Sequence, residues 1–432
     1  MLSLVFFLCL VGLAASSDAD ALVTCKPSIP LPGVTDSADL KKVDHSVLVG
    51  TYLFISVKQN NTVAVIDTST SAFITSLGPI GFPQGIAATK SGLVIAASSS
   101  TGNVTAYSAS PPFAQAWSTL VGLDADNVRV DDASGLVWVA NGGGESGDGL
   151  LTPLKADTGV IIQDLIIHLG PNHPEEFNLS PITRWLTVSV PSASGSGTVQ
   201  VFDRSNAFHI AQFPGSDTTW AQPFAQRLDA TGQRLYVATA GDLVLPAQLV
   251  VLNALDGTLL WAMPTGTPCD DIIVDSTGGL VLVAGGGKSS ADYVIQVTSA
   301  PSAGVATAWK SLGAITLTPP ANTTNARGLA WSPQTRTLYG PIPLVTSSGQ
   351  TPQVVVMTIA TPKGGGEDDD DEDDDDDDDK KLGWGAVAGI AAVATFLGAG
   401  LYYGLSKTSL CKKKDSQFAS SSAEDAAYSS IN

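Results

Sequence analysis

Between residues 44 and 360 the chain repeats itself, and that repetition restricts its fold more sharply than anything else in the sequence. Each unit contains a Leu/Tyr/Val-rich strand, a loop and a Val-x-Val strand, flanked by two further short strands. In the first unit Leu53-Phe-Ile-Ser-Val57 precedes Val63-Ala-Val-Ile-Asp67 and Phe73-Ile-Thr-Ser-Leu77. The first of these patterns returns as Leu93–Ala97, Leu136–Ala140, Trp185–Val190, Leu235–Ala238, Leu280–Ala284 and Leu338-Tyr339. The second returns as Val199–Asp203, Leu249–Asn253, Tyr293–Val297 and Val354–Met357. Units begin near residues 44, 84, 126, 173, 222, 270 and 326, a spacing of about 40–57 residues that suits a four-stranded blade. One such sheet has two apolar faces and covers neither alone, so blades gain burial by stacking around a ring. The expected fold is all-β, a seven-bladed β-propeller over residues 28–362. The last unit shows three strands, and Ile29-Pro-Leu-Pro-Gly33 is placed to supply its outermost fourth and close the ring.

The fragments Ser28–Val34, Val43-Asp-His45, Asn61–Asp67, Pro83-Gln-Gly85, Asp124–Arg129, His173–Leu179, Leu249–Leu252 and Asp270-Asp271 occur in one order along the chain. In that ordered set the chain resembles the YVTN β-propeller proteins, more closely the YncE-like family of secreted propellers. The resemblance implies a propeller outside the cytoplasm and supplies no settled activity. Thr267-Pro-Cys269 departs from the family pattern, and the acidic segment, the second apolar stretch and the tail lie outside it.

The two ends of the chain read as a targeting signal and an anchor. Leu2 to Ala15 is apolar and followed by small residues, the pattern of a secretory signal peptide over residues 1–17, although no positive side chain precedes it. Leu382 to Leu405 carries no charge over 24 residues, enough for one membrane-spanning helix. Lys407, Lys412, Lys413 and Lys414 follow it, and Trp384, Tyr402 and Tyr403 lie near its ends. Both signals orient the chain as a single-pass type I membrane protein of the secretory pathway, at the cell surface or an endomembrane, with residues 406–432 as a short cytoplasmic tail. The formal charge of −19 is concentrated in the thirteen acids of Glu367–Asp379, which leaves the remainder near −6. Residues 363–381 therefore read as an extended acidic linker, and a basic nucleic-acid footprint is absent from the sequence. Sequons at Asn60, Asn103 and Asn322 are glycosylation candidates; the one at Asn178 is disfavoured by Pro181. Cys411 is a palmitoylation candidate. Cys25 and Cys269 share an oxidising compartment, which favours a disulfide, but their predicted strand positions place them at opposite ends of the ring.

Innermost propeller strands start at the mouth of the central channel, so unit-start residues converge there. Asp44, His45, Gln84, Asp126, Asn127, His173, Glu175, Asp270, Asp271 and Arg327 are the resulting candidate ligand-binding residues. Histidine nitrogens and carboxylate oxygens in that setting suit a small polar ligand or a divalent cation at the channel mouth. The alternative is that these groups satisfy loop backbone and channel water. No Gly-x-Ser-x-Gly, His-Glu-x-x-His or Cys-x-x-Cys pattern occurs, and Gly285-Gly-Gly-Lys-Ser289 lacks the first glycine of a phosphate loop. His168 and His209 read as packing or surface residues. The expected function is a noncatalytic binding module for a protein, glycan or small ligand. The rivals are a metal-dependent, lactonase-like hydrolase at the channel mouth and, further off, a quinone-cofactor dehydrogenase.

Overall fold

The structure is a computed structural model that describes residues 23–31, 43–142, 147–192, 197–214, 220–241, 245–265, 269–285, 293–299, 310–317, 328–342 and 353–360. The predicted signal peptide, acidic linker, membrane segment and tail, with Cys411, Asn322 and Arg327, lie outside the described residues. Among the described residues the regular elements are β-strands and two short 3-10 turns, and no helix is long and apolar enough to cross a membrane.

Seven four-stranded antiparallel sheets are formed. Blades 1 to 6 run in chain order: Val43–Leu77, Pro83–Leu120, Ala125–Gly170, Phe177–Pro214, Pro223–Pro264 and Cys269–Leu317. Blade 7 takes three strands from Ala330–Ile359 and its outermost fourth from Val23–Pro30, which pairs antiparallel with Gln353–Ile359. The two ends of the repeat region are therefore hydrogen-bonded into one sheet, as the three-stranded last unit predicted. That closing strand begins at Val23, ahead of residue 28, because its ladder with the last strand continues to Ile359.

Burial explains the ring. Seven apolar clusters each join two neighbouring sheets, one of them between blades 7 and 1, where Ile29 and Val354 meet Leu53, Ile55 and Ile66. A linear stack of the same sheets would leave that last interface open to water. Along the second strands, residues such as Leu53–Val57 and Val137–Asn141 are buried without alternation, because both faces of each sheet are covered. The outermost strands alternate instead; Gln115–Leu120 and Leu259–Pro264 bury every second residue partially.

The turns repeat along with the strands. Asp67, Asp203 and Asn253 occupy one register position, each opposite the first residue of its second strand. Each side chain accepts the backbone N–H two residues on, from Ser69, Ser205 and Leu255, at 2.9, 2.9 and 3.0 Å. These Asx turns fix where the fourth strand starts. Between blades, Arg204 meets Asp131 at 2.8 Å and also donates to the carbonyls of Ser180, Thr183 and Trp185.

Cys25 and Cys269 are kept apart by a whole sheet. Cys269 is buried in the cluster between blades 5 and 6, whereas Cys25 lies opposite Met357 in blade 7. His168 and His209 are exposed on outer strands, as expected of surface residues.

Candidate functional site

Register alignment shows which residues share a level around the channel. In blades 1 to 6 the innermost-strand residues Ser46, Ile86, Val128, Phe177, Gln226 and Ile272 stand opposite the fourth residue of each second strand. The residue just ahead of each is His45, Gly85, Asn127, Glu176, Ala225 and Asp271, and the equivalent in blade 7 is Gly328. Two positions further along lie Val47, Ala87, Arg129, Asn178, Arg227, Ile273 and Ala330. The first level thus carries acids and a histidine, the second carries two arginines.

These levels are joined by charge. Glu176, from blade 4, is approached by side chains of blades 1, 3 and 5: His45 Nε2 at 3.5 Å, Arg129 Nη2 at 3.1 Å and Arg227 Nη1 at 2.8 Å. Arg227 continues to Asp271 of blade 6 through Nη2 at 3.0 Å. His45 Nδ1 lies 2.8 Å from Asp44 Oδ1, Asp44 pairs with the buried Lys58, and Lys58 Nζ donates to Gln84 Oε1 of blade 2 at 2.6 Å. Carboxylates on the first level also hold the following blade by its backbone. Glu176 Oε2 accepts the Gln226 N–H at 3.0 Å, and Asp271 Oδ2 accepts the Leu329 N–H at 2.7 Å. The two contacts are equivalent under the repeat, so one chemical device is used at the 4–5 and 6–7 junctions.

The electrostatics follow from these partners. Burial opposes the charged form of His45, but the Asp44 carboxylate, with Glu176 on the other nitrogen, raises its pKa to about 10. Burial likewise opposes ionisation of Glu176, and Arg227, Arg129 and His45 overcome it, holding the carboxyl well below the usual carboxylate range. Burial pushes the Asp271 carboxyl upward, with Arg227 offsetting part of the rise. Burial and the neighbouring Arg227 bring Arg129 down to about 10, leaving it charged at neutral pH. His45, with a carboxylate at each nitrogen, is an imidazolium and has no lone pair to offer a substrate proton or a metal.

A pH profile tests this assignment. The folded-state value of about 10 lies above the 6.5 of a free histidine side chain, so the imidazolium's contribution is complete below pH 6.5 and is lost as pH rises through 10. His45→Gln is expected to flatten the fall in unfolding free energy between about pH 7 and 10. Parallel profiles for the two proteins would contradict a charged His45.

The predicted site residues separate into two groups. Asp44, His45, Gln84 and Asp271 belong to the charged network, and Asn127 lies buried on the same level with no hydrogen-bond partner for Oδ1. His173, Glu175 and Asp126 belong to a second cluster that includes Asp124. His173 is exposed, with Nδ1 at 3.4 Å from Asp124. Partial loss of hydration opposes its charge, but Glu175, Asp124 and Asp126 raise its pKa. Gly142 makes room for that pair: a Cβ there would stand 2.2 Å from His173 Nδ1 and 2.6 Å from Asp124 Oδ2. Asp270 lies at the bulge of its strand. Among the described residues no group of three or more His, Cys, Asp and Glu side chains comes together to hold a metal ion.

Sequence reasoning overlooked Glu176, Arg129, Arg227 and Lys58. Glu176 directly follows the predicted Glu175 in His173-Pro-Glu-Glu-Phe177. The usable signal was register: alignment on the second strands equates Glu176 with Asp271 and Arg129 with Arg227.

No family profile and no curated protein matches the chain by sequence. Solved structures do match in shape, and they define the class as a β-propeller. Hydrazine synthase of Kuenenia stuttgartiensis aligns at 12% identity and TM-score 0.57, covering 72% of this chain and 95% of that one. A chain of the mitotic checkpoint complex aligns at 12% and 0.57, covering 77% and 94%. The Cps50 (Swd1) β-propeller domain of Myceliophteria thermophila aligns at 10% and 0.56, covering 78% and 100%. At these identities the likeness concerns the fold alone.

Proposed function

We propose that this protein is a noncatalytic binding module: a propeller carried outside the cytoplasm on one membrane-spanning segment, offering its channel and loops to a ligand. The observation that carries this reading is the state of the buried network. Asp44, Glu176 and Asp271 are all engaged by Lys58, His45, Arg129 or Arg227, and His45 is occupied at both nitrogens. General-base and nucleophilic chemistry need a group with an unshared pair aimed at substrate. In this network the acids and the imidazole are bound to one another.

The lactonase-like rival needs carboxylate oxygens available for a divalent cation at the channel mouth, and the three buried acids already face cationic side chains. The likeness in fold to a chain of the mitotic checkpoint complex, a protein assembly, is in keeping with an interaction role. The ordered YVTN/YncE-like fragments support a secreted propeller. The apolar segments 1–17 and 382–405, the Lys cluster after Leu405 and the acidic stretch 363–381 support a type I anchor with a spacer. Asn60 and Asn103 are half-buried at strand edges and remain glycosylation candidates. Asn178 is buried and donates to the Gln226 carbonyl at 2.6 Å, a position no glycan reaches without unfolding the 4–5 junction.

The test is a thermal-shift screen of the full chain in detergent against glycans, small metabolites and divalent cations, with a lactone-hydrolysis assay in parallel. A ligand response without turnover is expected. Lactone hydrolysis dependent on added calcium would overturn the noncatalytic reading.

A further inference from the structure

The buried network is unbalanced, and the direction of the imbalance points to what it would bind. Three carboxylates, Asp44, Glu176 and Asp271, face four cationic groups, Lys58, His45, Arg129 and Arg227. One positive charge is left in excess within this set.

Hydrogen bonding is unbalanced in the same sense. Asp271 is well supplied with donors, accepting from Arg227, Ile272 N–H and Leu329 N–H. Glu176 accepts from Arg227 and Gln226 N–H and faces Arg129 and His45 as well. A guanidinium carries a fork of five N–H donors. Arg129 donates from Nη1 to the Val128 carbonyl, and its Nη2 lies 3.1 Å from Glu176 Oε1 without a hydrogen bond; Arg227 donates from Nη1 to Glu176 and the Gln226 carbonyl, and from Nη2 to Asp271. Nε of both arginines has no protein partner among the described residues. The arginine side chains remain 16% and 25% exposed, so each guanidinium opens to solvent over part of its surface, while Arg129 Nη2 is buried.

From this juxtaposition we propose that Arg129 and Arg227, held by Glu176 between them, form a subsite in the channel for a small oxyanion, a carboxylate or a phosphate group. Oxygen acceptors are what the donor surplus lacks, and planar guanidinium forks suit both groups. Glu176 orients the two arginines and is not itself a ligand contact. Asp124, Asp126 and Glu175 form the separate cluster around His173, so the anion seats on the arginine level and not beside those acids. This inference rests on the binding-module reading and narrows its ligand class.

Equilibrium dialysis of the full chain against labelled inorganic phosphate, and separately succinate, at constant ionic strength set by chloride, tests it. One saturable site per chain is expected for at least one of the two, with affinity reduced at least about tenfold in Arg129→Gln, the loss of a charge-assisted hydrogen bond. Should that variant fail to fold, phenylglyoxal labelling of the wild type supplies the readout. The bound anion is expected to protect Arg129 and Arg227 and to leave exposed Arg184 unchanged. No saturable binding of either anion, unchanged affinity in a folded Arg129→Gln, or protection confined to other arginines would each overturn the subsite. If both anions fail while another compound shifts the melting temperature, the ligand class falls and the binding-module reading stands.

Discussion

Replacing Glu176 by glutamine is expected to lower the unfolding free energy of the propeller by about 3–5 kcal/mol, the usual cost of breaking a buried ion pair from one side. The amide keeps the shape of the side chain and removes its charge. Arg129, Arg227 and His45 then face one another with their shared counter-ion gone, and the Gln226 N–H loses a carboxylate acceptor at the 4–5 junction. Urea unfolding monitored by tryptophan fluorescence measures the loss as a drop in the transition midpoint. A surface ion pair would give less than about 1 kcal/mol. A result in that lower range would mean that water screens Glu176 and would contradict its burial in the network.

Gly85→Ala is expected to be more damaging still, on the order of 4 kcal/mol or more, and to remove most folded protein from expression. Gly85 shares its register with Glu176 and Asp271, but in blade 2 the next blade's backbone occupies the space of the side chain. An added Cβ would lie 1.9 Å from the Asp126 carbonyl oxygen and 2.9 Å from Asn127 Cα. Both are backbone atoms and cannot swing away. Gly328 repeats the arrangement at the closure, where a Cβ would lie 2.2 Å from the Asp44 carbonyl oxygen at φ +73°. The two glycines let blades 3 and 1 press against blades 2 and 7 near the axis. Gly50→Ala is the comparison: at φ +58° with open space around it, only the left-handed backbone penalty of about 1–2 kcal/mol applies. Equal effects of the two substitutions would show that the blade contact at Gly85 gives way to an added Cβ and does not set the cost.

The ring was readable from the sequence because burial imposes a period on it. Fully buried second strands leave unbroken apolar runs such as Leu136–Ala140, and Asx turns mark the same register position in blades 1, 4 and 5. The predicted unit starts at 44, 84, 126, 222 and 270 each fall within a residue of an observed innermost strand. The fourth and seventh units start later, at Phe177 and Ala330, because their innermost strands are short. The candidate site was harder to read. Convergence at the axis was visible in Asp44, His45 and Asp271, but partner choice depends on which way each side chain points. Neighbouring strand residues face opposite sides, so the choice between Glu175 and Glu176 turns on a shift of one position. Arg129 and Arg227 lie two residues inside the strand, past the unit start where polar residues drew attention. A positive excess becomes visible only once Lys58 and both of these arginines are placed beside the acids.

Charges from distant blades meet in the network, and a double-mutant cycle between His45 and Glu176 tests that meeting directly. These residues belong to blades 1 and 4 and lie in sheets that share no strand pairing. Unfolding free energies of the wild type, His45→Gln, Glu176→Gln and the double variant, measured at a pH below 7, are predicted to show a coupling of about 1–3 kcal/mol. Strict additivity of the two substitutions would place the side chains out of contact and contradict the network.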